Sequence, residues 1–486
     1  MYCLKDIFDF GTDNAEMSVK GISADSRKTE KGELYVCLKD KKGGGEAYIK
    51  EAVARGAAAV ICDETLFDTV EKVPCFSVKD PRSAYAKILS KALGEPSKRM
   101  KMIAVTGTNG KTTVTKMIES ILKAAGKRVA VIGTLGAQLD GRVTPLGTMT
   151  TPDPEILYPL LKSYADEGAQ YVIMEASSHA LALSKLDGIT FDIAAITNMT
   201  AEHLDFHGNM DGYFTAKSRL FERCKSGVFL CDDYYTVEMY KKATCRKVSC
   251  SVKRSDTDYY AENVGFSFEN GTILSVNKNG SAYPLHSDIT AEFTASNALL
   301  AFAVASELGI RPDIIYKGIA MLKNVEGRMQ KIETDADFSV FIDFAHTPDA
   351  FSKLLGSIRQ LRKRNERIVT LFGCGGDRDK SKRSLMGAIA SRLSDMVIIT
   401  SDNSRSEEPC DIIDGIMQGV DKSRPHVRIE DRKKAIEYAV RNAEKGDIIL
   451  LLGKGHEKYE IGKNGSRYFS EEDIVKEALA ERRKER

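Results

Sequence analysis

The segment that decides the fold reads MIAVTGTNGKTT and runs from Met102 to Thr113. Its first half is an apolar run of strand length, and its second half is a glycine-containing loop that leads into a predicted helix. Glycines let a loop wrap closely around a phosphate, and the free N–H groups at the start of a helix supply hydrogen-bond donors. The segment therefore predicts a nucleotide phosphate-binding loop.

The positions of this loop have separate expected tasks. Lys111 would place a positive charge beside the outer phosphates of a nucleotide, and the hydroxyl of Thr112 would be a ligand for Mg²⁺. The common pattern G-x-x-x-x-G-K-[ST] is not met, because Val105 stands at its first glycine position. An incidental glycine-rich turn is therefore the alternative interpretation. The residues predicted to surround the phosphates are Gly107, Thr108, Asn109, Gly110, Lys111, Thr112 and Thr113.

The rest of the 486-residue chain predicts an α/β protein of three domains. Continuous apolar segments separated by helical ones are typical of a mostly parallel sheet covered on both faces. A proline interrupts the pattern within residues 94–98, and the alternation restarts at Gly327. We expect an N-terminal α/β domain over residues 1–98. A central domain with a P-loop-type, mostly parallel sheet follows over 99–327, and a Rossmann-like α/β domain over 328–486.

Charge, hydrophobicity and cysteine content argue against a nucleic-acid-binding protein, a membrane-spanning protein and a disulfide-linked protein. The 71 lysines and arginines nearly balance the 69 acidic residues, so the net charge of +2 gives no electrostatic argument for a nucleic-acid partner. The sequence contains no apolar run near the ~20 residues of a membrane span, and its N-terminal residues lack a signal-like apolar core. Its ten cysteines include no C-x-x-C pair. We expect a cytoplasmic protein with reduced thiols and without membrane insertion.

Three further features follow the ends of later predicted strands, where ligands of open α/β sheets bind. Glu175 ends the segment YVIME, His203 follows the strand FDIAAI, and Lys217 lies on the next helix. Carboxylate and imidazole groups are competent ligands for Mg²⁺ or Mn²⁺. Each residue alone could be an ordinary structural group, and Lys217 could be a surface lysine. Their occurrence together after one phosphate loop indicates a metal-assisted phosphoryl-transfer site.

The sequence resembles the Mur ligases of peptidoglycan synthesis along essentially its whole length. The segments that carry the resemblance stand in the family's order: GTNGKTT, EASSHAL, TNMTAEHLDFHG, SNALLAFA, GRMQ, DFAHTPDA and GCGGDRDKSKR. The resemblance implies an ATP-dependent ligase that converts a substrate carboxylate into an acyl phosphate, which an amine then attacks. The segments DNSR and GKGHE are similar to those of members that add the third peptide residue.

The resemblance implies a role for each residue of the catalytic region. Lys111 would hold ATP phosphates, Thr112 and Glu175 would bind one Mg²⁺, and His203 would help to bind a second. Lys217 matches a lysine that reacts with CO₂ to form a carbamate (N6-carboxylysine), which can bind a cation as a carboxylate does.

The resemblance also implies nucleotide contacts later in the chain. Asn297 matches a residue that contacts adenine, and Arg328 one that reaches the phosphates and belongs to the catalytic set. Asp343 and His346 match residues near the ribose and adenine. A closure of domains could bring Arg328 into place only after ATP binds, which would exclude water from the acyl phosphate.

For the substrate UDP-N-acetylmuramoyl-L-alanyl-D-glutamate, the resemblance implies a uridine diphosphate contact and a set of muramoyl-peptide contacts. The matching residues are Ser26 for the former and Thr150, Thr151, Ser177 and Lys185 for the latter. The sequence departs from the family here, since Lys185 replaces a common arginine and Leu183 a common glutamine. The segment Lys41–Glu46 also lacks the family's usual histidine and Asp-Gly pattern.

For the added amino acid, the resemblance implies contacts from Arg378, Asp402, Asn403, Arg405, Gly453 and Glu457. The distal end of meso-diaminopimelate carries a carboxylate that L-lysine lacks, and an arginine can bind it through two parallel hydrogen bonds. Arg405 therefore favours meso-diaminopimelate, with lysine or another diamino acid as the alternative. Ser404 replaces the proline of the family's D-N-P-R segment, which could loosen the loop.

Other interpretations are less consistent with these segments. A sister ligase, such as a D-glutamate-adding enzyme or a folylpolyglutamate synthetase, would share the ATP chemistry but not DNSR and GKGHE. A nucleotide-binding switch or small-molecule kinase would need the phosphate loop but no further domain carrying Arg378, Arg405 and Glu457. We expect a monomer.

Overall fold

The computed structural model describes residues 1–8, 16–38, 44–70, 72–147 and 149–485. These residues form two compact units. Unit 1 comprises Met1–Cys250 and Leu300–Ile310, and unit 2 comprises Ser251–Leu299 and Arg311–Arg486. Of the segment predicted to depart from the family, residues 41–43 lie outside the described residues. The domain boundaries at 98 and 327 stay a prediction.

Unit 1 begins with a small parallel sheet. Its elements are β1 (Tyr2–Cys3), α1 (Leu4–Ile7), β2 (Ser18–Val19), β3 (Ile22–Ser23), β4 (Leu34–Val36), α2 (Gly45–Ala54), β5 (Ala59–Cys62), β6 (Cys75–Ser77) and α3 (Pro81–Ala92). Strands β3, β4, β5 and β6 pair in that order, all in parallel, while β1 and β2 form an antiparallel pair. Helix α3 starts where the Asp80 side chain accepts from the N–H groups of Arg82 and Ser83.

The larger sheet of unit 1 carries the phosphate loop. Its elements are β7 (Lys101–Thr106), α4 (Lys111–Ala124), β8 (Val129–Gly133), β9 (Gly136–Leu139), β10 (Arg142–Thr144), α5 (Pro154–Asp166), β11 (Tyr171–Glu175), α6 (Ser178–Ala182), β12 (Phe191–Ile196), α7 (Leu204–His207), α8 (Met210–Ser218), β13 (Cys224–Leu230), α9 (Tyr234–Lys242) and β14 (Arg246–Ser251). The order β8-β11-β7-β12-β13-β14 is parallel throughout, and β9 and β10 extend it as antiparallel strands. Strand β7 thus lies inside the sheet, as its run of buried residues predicts.

Unit 2 begins with an antiparallel meander, as the polar alternating segment and its Asn270-Gly271 turn predict. Its strands are β15 (Tyr259–Ser267), β16 (Gly271–Lys278) and β17 (Ser281–Ser287). Helix α10 (Glu292–Glu307) contributes residues to both units, and α11 (Pro312–Met321) follows it.

A six-stranded sheet, its helices and a separate β-hairpin form the rest of unit 2. The sheet and its helices are β18 (Gln330–Ile332), β19 (Ser339–Asp343), α12 (Pro348–Leu361), β20 (Ile368–Phe372), α13 (Lys382–Leu393), β21 (Met396–Ile399), α14 (Pro409–Met417), β22 (His426–Arg428), α15 (Arg432–Arg441), β23 (Ile448–Leu452) and α16 (Glu471–Glu485). Within the part of the chain that the structure describes, strands β24 (Tyr459–Gly462) and β25 (Gly465–Tyr468) pair only with each other, antiparallel. The strand order is β18-β19-β23-β20-β21-β22, and only β18 runs antiparallel to its neighbour. Strand β23 is the apolar run IILLL and is buried along its whole length.

The α/β class and the mostly parallel central sheet are confirmed. Helices alternate with the parallel strands in both units, which is the pattern that buries both faces of such sheets. Among the described residues, the structure shows no helix that is both long and apolar enough to span a membrane.

Candidate active site

The predicted phosphate loop joins β7 to α4 in unit 1, at the carboxyl end of the parallel sheet. Its first glycine, Gly107, has φ +139°, and a Cβ at this position would lie 1.9 Å from Oγ1 of Thr197. Gly110 has φ +88° and directly precedes the helix. Both backbone conformations favour glycine, so the two glycines of the motif are needed for the geometry of the loop.

The end of the neighbouring strand β12 holds the loop in place. The Asn198 side chain accepts from the N–H of Asn109 at 3.0 Å and donates to the carbonyl of the same residue at 3.1 Å. The hydroxyl of Thr108 donates to the carbonyl of Thr200 at 3.1 Å and lies 3.2 Å from the hydroxyl of Tyr213. The loop therefore has a fixed shape, which is required of a preorganised anion-binding site.

A buried carboxylate lies beside the first turn of α4. The hydroxyl of Thr112 donates to both oxygens of Glu175, at 3.0 and 3.1 Å. Thr134 donates to the same carboxylate from its N–H and from its hydroxyl, at 3.0 Å each. Glu175 stands at the end of β11 and is 1% exposed. The structure thus brings together the hydroxyl and carboxylate that the sequence predicts as ligands of one Mg²⁺.

Lys217 extends from α8 to the carbonyl oxygen of Gly107, to which its Nζ donates at 2.9 Å. The side chain is buried, so the alternative of a surface lysine is wrong. Lys111 donates to the same carbonyl oxygen at 2.9 Å and to that of Thr108 at 2.9 Å. Burial and the nearby charge of Lys111 lower the pKa of Lys217 well below its ordinary value, against an opposing effect of Glu202.

Three histidines lie together beside this loop. His203 has φ +55°, and its Nε2 lies 3.8 Å from a carboxylate oxygen of Glu202. The ring of His179 lies 4.7 Å from that of His203 and 5.5 Å from that of His207, measured between centroids. Burial, with the two neighbouring rings, lowers the pKa of His179 to about 4, and burial also lowers the pKa of His203. Both imidazoles are therefore neutral at neutral pH, the form that can bind a metal.

The side chains of this region fit Mg²⁺ only with additional ligands. Among the described residues, no group of three or more histidine, cysteine, aspartate and glutamate side chains could by itself hold a metal ion. Mg²⁺ is usually bound by one or two carboxylates together with phosphate oxygens and water, so Glu175 and Thr112 fit such a site beside a nucleotide. A carbamate on Lys217 would add another oxygen ligand.

Most of the predicted muramoyl-peptide residues lie near the end of β11. The hydroxyl of Thr151 donates to the carbonyl of Glu175 at 2.7 Å and accepts from the N–H of Ser177 at 3.0 Å. Thr150 lies 3.3 Å from Thr134 through their hydroxyls, and Lys185 pairs with Asp153 at 2.7 Å. Thr150, Thr151 and Ser177 thus contact Glu175 directly or through one neighbour.

Ser26, the predicted uridine diphosphate contact, lies in the N-terminal part of unit 1. Its hydroxyl donates to a carboxylate oxygen of Glu51 on α2 at 2.5 Å, and the residue is 5% exposed. Its role in substrate binding stays a prediction.

Unit 2 holds the other predicted nucleotide residues. The Arg328 guanidinium lies 4.7 Å from the ring centroid of Phe344, whose ring also contacts those of His346 and His456, at 4.6 and 5.1 Å. The buried carboxylate of Asp343 accepts from the N–H groups of Met329 and Ala345, at 2.7 Å each. Asp343 thereby fixes the backbone next to Arg328. Asn297 lies on α10 and is 4% exposed.

The predicted amino-acid contacts form one cluster at the carboxyl ends of β21 and β23. The Asn403 side-chain amide donates to Glu457 at 2.7 Å. Arg405 has φ +51°, and its Nη1 donates to the carbonyls of Gly376 and Asn403 at 2.8 and 3.3 Å. These bonds orient the guanidinium.

The remaining members of that cluster differ in exposure. Asp402 is buried, and a Cβ at Gly453, which has φ +108°, would lie 2.9 Å from its Oδ2. Arg378 is exposed, on the loop that precedes α13. Ser404, which replaces the family proline, is buried, and its carbonyl accepts from the N–H of Glu407 at 3.0 Å. The loop is thus closed by a turn even without the proline.

Several side chains that complete these sites were not identified from the sequence. Thr134 and Glu202 contact predicted metal ligands, Phe344 contacts Arg328, and Lys454 contacts Asn403. Thr134 comes directly after β8, and Glu175 ends the neighbouring strand β11, so its position at a strand end is a signal that could have identified Thr134. Glu202 and Lys454 lie within segments already singled out, while Phe344 resembles any core residue.

Comparisons with known proteins agree with this arrangement. Three family models match: "Mur ligase family, catalytic domain" over residues 18–92, "Mur ligase middle domain" over 105–305 and "Mur ligase, glutamate ligase domain" over 327–455. A protein of Caldanaerobacter subterraneus subsp. tengcongensis named UDP-N-acetylmuramoyl-L-alanyl-D-glutamate–2,6-diaminopimelate ligase is 39% identical over 473 residues, 97% of both chains. A protein of Syntrophomonas wolfei with the same name is 38% identical over 96% of this chain and 95% of its own.

Solved structures show the same similarity. A structure of a protein of that name is 30% identical, covers 99% of both chains and has a TM-score of 0.72. A structure of MurF ligase from Thermotoga maritima in complex with ADP has a TM-score of 0.59 over 96% of this chain and 99% of its own. At 20% identity, the second structure supports the fold alone.

Proposed function

The chain belongs to the Mur ligase family of ATP-dependent, amide-bond-forming enzymes, and from this premise we propose that it joins meso-diaminopimelate to the D-glutamate of UDP-N-acetylmuramoyl-L-alanyl-D-glutamate. The observation that carries the proposal is similarity along almost the whole chain to proteins named for this reaction, at 37–39% identity in three of them. The clustered Arg405, Asn403 and Glu457 side chains support it.

The proposed reaction has two steps. A carboxylate oxygen of D-glutamate attacks the γ-phosphorus of ATP, the bond to ADP breaks, and an acyl phosphate forms. The amine nitrogen of the amino acid then attacks the acyl carbon, inorganic phosphate leaves, and the nitrogen loses a proton. Positioning and neutralisation of charge account for most of the catalysis in such reactions.

The residues of unit 1 would serve the first step. Lys111 and the loop N–H groups would bind the phosphates, and Thr151 and Ser177 would orient the muramoyl-peptide near Glu175. Thr112 and Glu175 would hold one Mg²⁺, and His203 would take part in a second site. When bound, Mg²⁺ neutralises phosphate charge and orients the transferred group.

We propose that Lys217 carries a carbamate. A neutral amine is the form that attacks CO₂, and burial beside Lys111 favours a neutral Lys217. The product carries a negative charge, which the Lys111 ammonium and bound cations would stabilise. The modification would therefore convert two neighbouring amines into an oppositely charged pair.

Unit 2 would supply the second substrate site. Hydrogen bonds to Nη1 orient the Arg405 guanidinium, and two of its N–H groups could bind the distal carboxylate of meso-diaminopimelate. Glu457 would bind an ammonium. L-Lysine remains the second candidate, because it shares the ammonium but would leave Arg405 without that carboxylate.

The domain organisation and setting of the enzyme are also proposed. We retain boundaries near residues 98 and 327, which the family-model matches over 18–92, 105–305 and 327–455 support. We also propose that the enzyme is a cytoplasmic monomer.

A comparison of three amine substrates tests the proposal. Purified protein is incubated with ATP, Mg²⁺ and the UDP-muramoyl dipeptide, and meso-diaminopimelate, L-lysine and L-ornithine are offered separately. Mass spectrometry should show a tripeptide product with meso-diaminopimelate and little with the others. Preference for L-lysine would refute the proposed role of Arg405, and absence of any amide product would refute ligation.

A further inference from the structure

A buried ammonium lies behind the amino-acid cluster of unit 2. The Lys454 side chain has no exposed surface, and its Nζ lies 3.1 Å from Oδ1 of Asn403 and 3.5 Å from Oδ1 of Asp402. Nζ also lies 5.5 Å from the ring centroid of Phe469. An ammonium is costly to bury unless it is paired, so these contacts define the position of Lys454 closely.

Lys454 and the backbone of Ile461 together determine which way the Asn403 amide points. Oδ1 of Asn403 accepts from Nζ of Lys454 and, at 2.9 Å, from the N–H of Ile461. Both partners can only donate, so the amide oxygen must face them. Nδ2 then faces the other way and donates to Oε2 of Glu457 at 2.7 Å. The hydroxyl of Tyr459 donates to the other carboxylate oxygen of Glu457, Oε1, at 3.3 Å.

We propose that Lys454 is a positioning residue for the amino-acid substrate, and that it acts through Asn403 on the carboxylate of Glu457. The inference rests on the proposed function, in which Glu457 binds an ammonium of that substrate. Lys454 itself touches no reacting atom. Its hydrogen bond helps the Ile461 N–H to hold the Asn403 amide, and the amide in turn holds the Glu457 carboxylate.

The charges around Glu457 give this role a measurable signature. Burial and the neighbouring Asp402 raise the pKa of Glu457, whereas Lys454, Asn403 and Tyr459 lower it. Glu457 must be ionised to bind an ammonium, so substrate affinity falls as the pH falls through its pKa. Removal of the Lys454 cation would raise that pKa further and move the loss of affinity to higher pH.

The test is Lys454→Met, which keeps the length and apolar stem of the side chain but removes the ammonium. The expected result is a KM for meso-diaminopimelate raised by about tenfold or more, with KM for ATP and for the UDP-muramoyl dipeptide unchanged. The acid limb of kcat/KM for meso-diaminopimelate should move to higher pH, and Lys454→Arg should restore it in part. The matched control is Lys433→Met, because Lys433 is half exposed and pairs with Glu477 at 3.1 Å.

Two results would overturn the inference. One is a Lys454→Met variant whose KM for meso-diaminopimelate and whose pH profile of kcat/KM equal those of the wild type. The other is an equal loss of kcat/KM for all three substrates, with no shift of the acid limb of that profile. If Lys454→Met does not fold, Lys454→Gln replaces it, since its amide can still donate to Asn403 but carries no charge. Failure of the wild type to form any amide product would refute the proposed function instead. Calorimetric binding of meso-diaminopimelate to the same variants would then decide the role of Lys454.

Discussion

Lys111 and Lys217 donate to the same acceptor, the carbonyl oxygen of Gly107, from nitrogens that each lie 2.9 Å from it. One lysine begins helix α4 and the other lies near the end of α8, so the fold brings two amines to one side of the phosphate loop. Two ammonium groups this close repel each other in a buried site. The completely buried amine, Lys217, is the one expected to lose its proton and become reactive towards CO₂.

Loss of the Lys217 amine should stop turnover. Lys217→Ala removes the proposed carbamate, and kcat should fall roughly 100-fold or more, because an oxygen ligand for the cation is lost. Formate or acetate should restore part of the activity by occupying the same place. The control is Lys225→Ala, an exposed lysine on β13 that pairs with Asp192. Full activity of Lys217→Ala in steady-state assays would remove this residue from the metal site.

The hydroxyl of Thr112 should contribute to the affinity for Mg²⁺ rather than to folding. Thr112→Val preserves shape but removes the hydroxyl that contacts Glu175, so the Mg²⁺ concentration for half-maximal activity should rise about tenfold. Thr144→Val, at an exposed position on β10, should leave it unchanged. The measurement is a Mg²⁺ titration of initial rate at saturating ATP, and an unchanged midpoint would contradict the assignment.

The planar guanidinium of Arg405 should determine which amine substrate the enzyme prefers. Arg405→Lys keeps the charge but loses the paired N–H groups, so kcat/KM for meso-diaminopimelate should fall about tenfold or more. The ratio of kcat/KM values between meso-diaminopimelate and L-lysine should narrow. Arg424→Lys, an exposed residue beside Asp421, serves as the control. If the ratio of kcat/KM values does not change, another group must bind the distal carboxylate.

A pH-dependent contribution to stability is expected from Glu407. Arg383 donates to both its carboxylate oxygens at 3.0 Å and, with the N–H of Asp377, holds the pKa of Glu407 at about 2. Because the folded pKa lies below the ordinary 4.5, the stabilisation is complete above pH 4.5 and is lost as the pH falls towards 2. Glu407→Gln should therefore lower the free energy of unfolding at pH 6 but much less at pH 3. Urea denaturation measures the difference, and an equal effect at both pH values would contradict it.

Much of the fold follows from local patterns. The apolar runs predicted β7, β11, β12 and β23, and the polar alternation with Asn270-Gly271 predicted the antiparallel meander. These signals are short in range, because strand burial and turn geometry depend on a few adjacent residues. Strand order is different, since it depends on packing across the whole sheet, and the insertion of β11 between β8 and β7 has no local signal.

The candidate site was predicted less completely. Glu175 and Lys217 were found because strand ends and motif order point to them. The burial of Lys217 and its shared acceptor with Lys111 depend on how α8 packs against the loop, which the spacing of residues does not determine. Lys454 is a second example. A lysine between two glycines is expected to be an exposed turn residue, and only its contacts with Asp402 and Asn403 show that it is part of the site.

An isotope-transfer experiment tests the central claim most directly. The UDP-muramoyl dipeptide is prepared with ¹⁸O in both oxygens of the reacting D-glutamate carboxylate and is incubated with the enzyme, ATP, Mg²⁺ and meso-diaminopimelate. If an acyl phosphate forms, one labelled oxygen stays in the new amide and the other leaves in inorganic phosphate. We predict one ¹⁸O in the phosphate for each amide formed, detected by mass spectrometry. Amide formation with unlabelled phosphate would contradict the account.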